Sequence, residues 1–367
     1  MFQKILLKLK GEKILLFSGL CAVITMFLVP VDMDYLSYID VRVLCLLFSL
    51  MVVILGFQKC GAFQWLSSRM IQKSSGGKML GFSLVMLPFF SSMLVTNDVA
   101  LLTFVPFTLL LLHQIHCERS TIFLLVLQTI AANLGSMATP VGNPQNLFLY
   151  AKYELSIKDF FFTMTPFTLI SFLLLAIASF FVLPKNQSVI ETEEKFYDKK
   201  KLLSYGILFL LCLLTVFRVL PYPLLVAVVF FSILYLDRSI LKEIDYGLLA
   251  TFVCFFIVSG NLGRIDFVKQ LLCLLLSKNT LLTSAAASQF ISNVPSAVLL
   301  SGFTNDWRSL LLGVNIGGLG TPVASLASLI TIKLYLSDKD AKPLKFLTAF
   351  TLLNTAGLLI LLFAAMI

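Results

Sequence analysis

Long apolar runs separated by short polar loops dominate the chain. A helix that crosses a bilayer needs about 20 predominantly apolar residues. Runs of that kind predict nine full crossings, near 13–30, 40–57, 121–150, 160–183, 202–218, 221–236, 246–260, 309–336 and 346–366. Two further apolar stretches, 79–112 and 270–302, are too long for one crossing and carry polar residues in their middle. We read each as a re-entrant helical hairpin that enters and leaves by the same face. The one long hydrophilic run, 184–201, reads as a cytoplasmic linker between an N-terminal half, 1–183, and a C-terminal half, 202–367. The expected fold is therefore an all-α polytopic membrane protein.

Composition narrows the class further. Of 367 residues, 59% are hydrophobic, 13% are charged and 34 are Phe. Surface-to-volume scaling does not let a soluble core hide that much apolar surface. Disordered, collagen-like and nucleic-acid-binding chains are excluded as well. The net charge of +9 reflects Lys and Arg gathered in loops, which set the orientation of a membrane protein. With the N-terminus cytoplasmic and both hairpins re-entrant, 19 basic residues fall on the inner face and 7 on the outer. Reading either hairpin as a single crossing would flip every later loop and spoil that bias. No cleavable signal is expected, because the first apolar run lacks a small-residue cleavage site. Seven Cys without a CxxC pair read as inert buried thiols. His113 and His116 read as surface residues.

The two halves resemble each other. Residues 133–141 read Asn-Leu-Gly-Ser-Met-Ala-Thr-Pro-Val, and 315–323 read Asn-Ile-Gly-Gly-Leu-Gly-Thr-Pro-Val. Thr96-Asn97-Asp98 lies in one hairpin and Ser292-Asn293-Val294 in the other. Asp40 begins a span ending at Gly56, and Asp245 begins one ending at Gly260. An even number of crossings separates these matched spans, so they run in opposite senses. The pattern predicts inverted-topology repeats, a signature of secondary transporters.

The polar motifs carry the candidate chemistry. Irregular backbone at membrane depth is tolerated only where it is buried in protein or lines a wet cavity. Pro140 and Pro144 remove backbone donors, while Gly135 and Gly142 permit unusual dihedrals, so the span 121–150 must break. Gly317, Gly318, Thr321 and Pro322 do the same in 309–336. A helix break leaves carbonyls free on one side and N–H groups free on the other. Carbonyl ends favour a cation and N–H ends an anion. Asn97 and Asn293, at the hairpin tips, carry both donors and acceptors. Each hairpin arm is read as about 15 residues, or about 22 Å of helix, enough for the tip to pass the midplane. The candidate substrate and ion site therefore comprises Thr96, Asn97, Asp98, Gly135, Ser136, Thr139, Pro140, Gly142, Asn143, Asn146, Ser292, Asn293, Gly317, Gly318, Thr321 and Pro322. Asp98 is an intramembrane carboxylate, a functional candidate by default.

The motifs TND at 96–98, ATPVGNPQN at 138–146, SNVP at 292–295 and NIGGLGTP at 315–322 resemble those of an ion transporter superfamily. It includes citrate-transporter-like proteins, arsenite permeases, a sodium/proton antiporter group and divalent anion–sodium symporters. The similarity runs from about residue 40 to the end and is strongest to bacterial inner-membrane permeases. The resemblance implies two inverted repeats, each with a re-entrant hairpin and a broken helix, and a homodimer that moves substrate by an elevator-like shift. It also implies a plasma-membrane location. Thr96, Asn97, Ser292 and Asn293 match the first two positions of the Ser-Asn-Thr motifs that hold substrate carboxylates in the symporters, where sodium sits beside each tip. Asp98 and Val294 depart at the third position. Sodium is accordingly expected at Asn97, Asp98 and Asn293.

Together these features predict a secondary active transporter of a small anion, carboxylate or inorganic oxyanion, coupled to sodium or protons. An arsenite efflux permease or a sodium/proton antiporter of the same fold, or an ion channel, are the alternatives. No HExxH, GxSxG or Walker A motif is present, so neither an enzyme nor an ATP-driven pump is expected; an ATPase partner acting in trans is one further option. Impermeant thiol reagents test the topology. Cysteines introduced in 113–120 and in 303–308 should label from opposite faces, and labelling from one face would overturn it.

Overall fold

The computed structural model describes residues 13–62, 65, 76–184 and 198–367. Most of the linker 184–201 lies outside the described residues. Among those described, the chain is helical and contains no strand. The first half comprises α1 (Lys13–Leu28), α2 (Asp34–Tyr38), α3 (Val41–Lys59), α4 (Gly77–Ser91), α5 (Asn97–Gln114), α6 (Thr121–Ser136), α7 (Pro144–Lys152) and α8 (Ile157–Ser179). The second comprises α9 (Lys199–Val216), α10 (Tyr222–Leu236), α11 (Tyr246–Gly263), α12 (Asp266–Lys278), α13 (Thr280–Ile291), α14 (Asn293–Leu300), α15 (Trp307–Ile316), α16 (Leu326–Leu336) and α17 (Pro343–Met366).

Among the described residues, five helices, α3, α5, α8, α11 and α17, are long and apolar enough to cross a bilayer, and the bent pair α12–α13 makes a sixth if counted as one span. The helix α5, read from the sequence as a hairpin arm, has 18 residues at a mean hydropathy of 1.2. Its length alone would let it cross. The stretches 121–150 and 309–336 break as expected, between α6 and α7 and between α15 and α16.

The stretch 270–302 departs from the expected pair of equal arms. It contains α12, a bend of 120° and then α13. The arms that flank Ser292 have 12 and 8 residues, against the 15 read from the sequence. Asn279 makes the bend. Its backbone is extended, and its side chain caps α13 by accepting from the Leu282 N–H at 2.8 Å. The first hairpin keeps longer arms, of 15 and 18 residues.

Matching residues start matching helices. Asp40 caps α3 through the Val43 N–H at 3.1 Å, and Asp245 caps α11 through the Leu248 N–H at 2.9 Å. Each cap satisfies a donor that a helix N-terminus leaves free.

The halves pack into one another. The first-half helix α1 lies along α11, while α9 and α10 of the second half lie along α3. Lipid tails are as apolar as Leu, so close packing of small residues holds such helices together. Gly56 on α3 admits the ring of Tyr205 from the second half, and Gly260 on α11 admits the ring of Tyr38 from the first. Within the halves, α4 packs on α6 and α13 on α15. A Cβ at Gly135 would overlap the Phe89 carbonyl oxygen. Gly317 stands at the equivalent position, and a Cβ there would lie 2.8 Å from the Ala285 Cα.

Gly135→Ala should therefore lower stability by about 1–3 kcal/mol, the usual scale of overpacking. The measurement is the thermal unfolding midpoint in detergent. Gly206, where an added Cβ meets nothing within 4 Å, provides the control. Gly206→Ala should be neutral or stabilising by up to about 1 kcal/mol through helix propensity.

Candidate functional site

The hairpin tips and the two breaks form one buried polar network. Asn97, the first residue of α5, donates through Nδ2 to the Asn133 carbonyl oxygen Oδ1 at 2.9 Å. Ser325, the N-cap of α16, donates to the same oxygen at 2.9 Å. Asn143, the N-cap of α7, donates to Asn315 Oδ1 at 3.0 Å and to Ser136 Oγ at 3.1 Å. Asn315 in turn donates to Asn146 Oδ1 at 2.6 Å. Ser136 donates to the Asn133 backbone carbonyl at 2.8 Å, which joins the two groups. Asn133, Asn143, Asn146, Asn315 and Ser325 are each no more than 3% exposed.

The bonds between the halves come in matched pairs. Asn133 and Asn315 open the two nonapeptides, while Asn143 and Ser325 each stand two residues beyond a Thr-Pro-Val. First-half Asn133 accepts from second-half Ser325, and second-half Asn315 accepts from first-half Asn143. The threonines of the two Thr-Pro-Val segments also do the same work. Thr139 Oγ1 donates to the Met93 carbonyl, and Thr321 Oγ1 donates to the Gln289 carbonyl at 2.9 Å. Met93 and Gln289 each stand three residues before the tip residues Thr96 and Ser292. These hydroxyls latch each break to its own hairpin.

Amide side chains satisfy the broken backbone. Asn146 Nδ2 faces the carbonyls of Thr139 at 3.1 Å, Met137 at 3.3 Å and Ser136 at 3.4 Å. Gln289 plays the equivalent part in the second half. Its Nε2 donates to the carbonyls of Gly317 and Leu319 at 2.8 and 2.9 Å, and its Oε1 accepts from the Thr321 N–H at 2.9 Å.

The tips themselves differ. Thr96 is extended, at φ −64°. Ser292 sits at φ 73°, in the left-handed region, where a non-glycine residue costs about 1–3 kcal/mol. The Asn293 N–H donates to the Ala324 carbonyl at 2.9 Å and anchors this tip beside Ser325. Gly318 packs against Asn293, where a Cβ would lie 2.9 Å from Nδ2.

Of the residues expected from the sequence, Asn97, Ser136, Asn143, Asn146, Ser292, Asn293 and Gly318 meet at or beside the network. Gly135, Pro140, Gly142, Gly317 and Pro322 shape the breaks. The side chain of Asp98 makes no bond to the network, and its buried Oδ1 has no hydrogen-bond partner among the described residues. Asn133 Nδ2 and Gln145 Oε1 are likewise buried and unpaired among them. Asn133, Asn315, Ser325 and Gln289 lie outside the set of residues expected from the sequence. The first two were visible as an Asn opening each nonapeptide, but Gln289 has only its place inside a helix to mark it. His113 lies away from the network, with Nε2 3.0 Å from Asp338 Oδ2.

Four helix N-termini, those of α5, α7, α14 and α16, contribute to this region, and the chain holds several helices long enough to span a bilayer. That architecture is a multi-pass membrane transporter. The chain belongs to the Citrate transporter family, whose profile matches residues 5–304. It is 33% identical over 307 residues to an uncharacterized transporter of Methanocaldococcus jannaschii, covering 82% of this chain and 83% of that protein. It is 29% identical over 340 residues to the inner membrane protein YbiR of Escherichia coli, covering 89% and 88%. A silicon efflux transporter of Oryza sativa is 34% identical over 148 residues, 40% of this chain and 30% of that protein. The family and these relatives are transporters or membrane proteins, and the chain is not an enzyme.

A double-mutant cycle on Asn143→Ala and Asn315→Ala tests the link between the halves. The two changes should couple by about 0.5–3 kcal/mol in thermal stability, the range for residues in one network. Additive effects would mean that the pair does not join the halves.

Proposed function

We propose that the protein is a secondary active transporter of a small anion, a carboxylate or an inorganic oxyanion, working by alternating access between two inverted repeats. The observation that carries this reading is the asparagine network at four helix N-termini. Helix N-termini carry partial positive charge, although Asn97, Asn143 and Asn293 each take one first-turn N–H with Oδ1, and no basic side chain takes part in the bonds that join these ends. Such a site accepts an anion without a fixed counter-charge. The ends of α6 and α15 bring carbonyls to the same place, which suits a coupling cation. The matched bonds and tyrosine–glycine contacts across the halves support the repeat. A carrier with two related halves can present one site alternately to either face.

Asp98 is the residue we assign to coupling. It adjoins Asn97 at the network, its Oδ1 has no hydrogen-bond partner among the described residues, and the matching tip carries the apolar Val294. One acid for two tips supplies one site for sodium or a proton. Proton-coupled efflux is the second reading: the lone acid supports the proton, and the rice relative, matched over 40% of this chain, is named a silicon efflux transporter. In either case the protein works as a multi-pass protein of the plasma membrane.

Uptake into proteoliposomes tests the assignment, with carboxylates and oxyanions offered under separate sodium and pH gradients. Asn97→Ala and Asn293→Ala should each abolish transport while the protein still reaches the membrane. Normal flux in both would refute the site. Asp98→Asn should flatten the dependence on sodium or pH, and an unchanged profile would remove Asp98 from coupling.

A further inference from the structure

A polar cavity of about 710 Å³ lies away from the network. Its wall carries Arg42, Lys152, Arg264 and a single acid, Asp40. Two of these groups are already engaged. The Arg264 Nη1 lies 2.7 Å from Asp32 Oδ2 and 3.2 Å from Tyr38 Oη, and Asp40 caps α3. Arg42 and Lys152 have no ion-pair or hydrogen-bond partner among the described residues. Lys152 ends α7, and the helix dipole there offsets only about half of one charge. Arg42 and Lys152 outnumber the one carboxylate of the wall, Asp40, which keeps its charge while capping α3, and a concave, low-dielectric wall focuses the resulting positive potential into the space it encloses.

Two helices border both the cavity and the network. Phe148 of α7 and Val298 of α14 line it. These two helices pack on each other. Their opposite ends carry Asn143 and Asn293. A nine-residue helix such as α7 spans about 13 Å at 1.5 Å per residue. An anion in the cavity is thus about one short helix away from the asparagines.

We propose that this cavity is a loading site for the transported anion. Arg42 offers a planar fork that matches carboxylate and oxyanion geometry, and Lys152 adds a mobile point charge. The site collects the anion from water before it passes along α7 and α14 to the network. This role rests on the anion-carrier reading above.

Ser37, an exposed residue of the cavity wall, supplies a reporter position. The full-length Ser37→Cys variant is reconstituted in phosphatidylcholine liposomes. Its modification by a sulfonate-bearing methanethiosulfonate reagent is followed at that position by peptide mass spectrometry. Citrate and sulfate are the competing probes, with choline chloride at matched ionic strength as control. Either probe should slow modification roughly tenfold at about nine times its dissociation constant, the factor that mass action gives for a site blocked when occupied. Protection should vanish in the Arg42→Gln/Lys152→Gln background and persist in Asn97→Ala. Equal modification with and without both anions would overturn the proposal, as would protection that survives loss of both cations. Full protection by phosphatidylglycerol alone would assign the cavity to lipid headgroups and overturn the loading role. Flux without protection would sink the cavity alone. Cation-dependent protection without anion flux would sink the carrier reading and leave the anion site standing.

Discussion

Backbone that leaves a helix inside an apolar core has no water to pair with, and each unpaired group there is costly. The whole centre of this protein is organised around that constraint. Two helices break, and an amide side chain stitches each break. Asn146 reaches back to three carbonyls of the first, and Gln289 reaches across from the hairpin to the second. A side-chain amide suits this task because it carries two donors and an acceptor without net charge. The breaks can therefore persist at depth without introducing a fixed ion.

Those same amides join the halves. Asn315 links to Asn143 and Asn146, and Asn133 links to Ser325 and to the hairpin tip at Asn97. Movement of one half relative to the other must break or exchange these bonds. Buried hydrogen-bond networks have discrete arrangements rather than a continuum, as the proposed carrier would require. The flanking contacts add close packing: the ring of Tyr205 fills the space over Gly56, and that of Tyr38 fills the space over Gly260 while its hydroxyl accepts from Arg264.

The strain at Ser292 belongs to the same picture. One residue at φ 73° turns the second hairpin, while the first uses a wider turn between Ser91 and Asn97. The short arms of the second hairpin leave little chain for a relaxed turn, and the bond from Asn293 to Ala324 holds the tight one in place. The halves share their bonds at the breaks and differ at the tips, where Asp98 faces no acidic counterpart.

Several features could be read from the chain alone. Apolar length set the all-helical membrane class, and Pro140, Gly142, Pro144 and Pro322 marked the breaks, because proline and glycine act on local backbone. The paired nonapeptides and the capping residues Asp40 and Asp245 pointed to related halves, since caps too are local. The sequence also directed attention to Asn97, Asn143, Asn146 and Asn293. Other features required the tertiary structure. The 120° bend at Asn279 and the unequal arms of the second hairpin are seen only in the tertiary structure. The partners of Asn133, Asn315, Ser325 and Gln289 depend on how the halves dock. Periodicity records which side of a helix is apolar, but a hydrogen bond between residues nearly two hundred positions apart leaves no local trace.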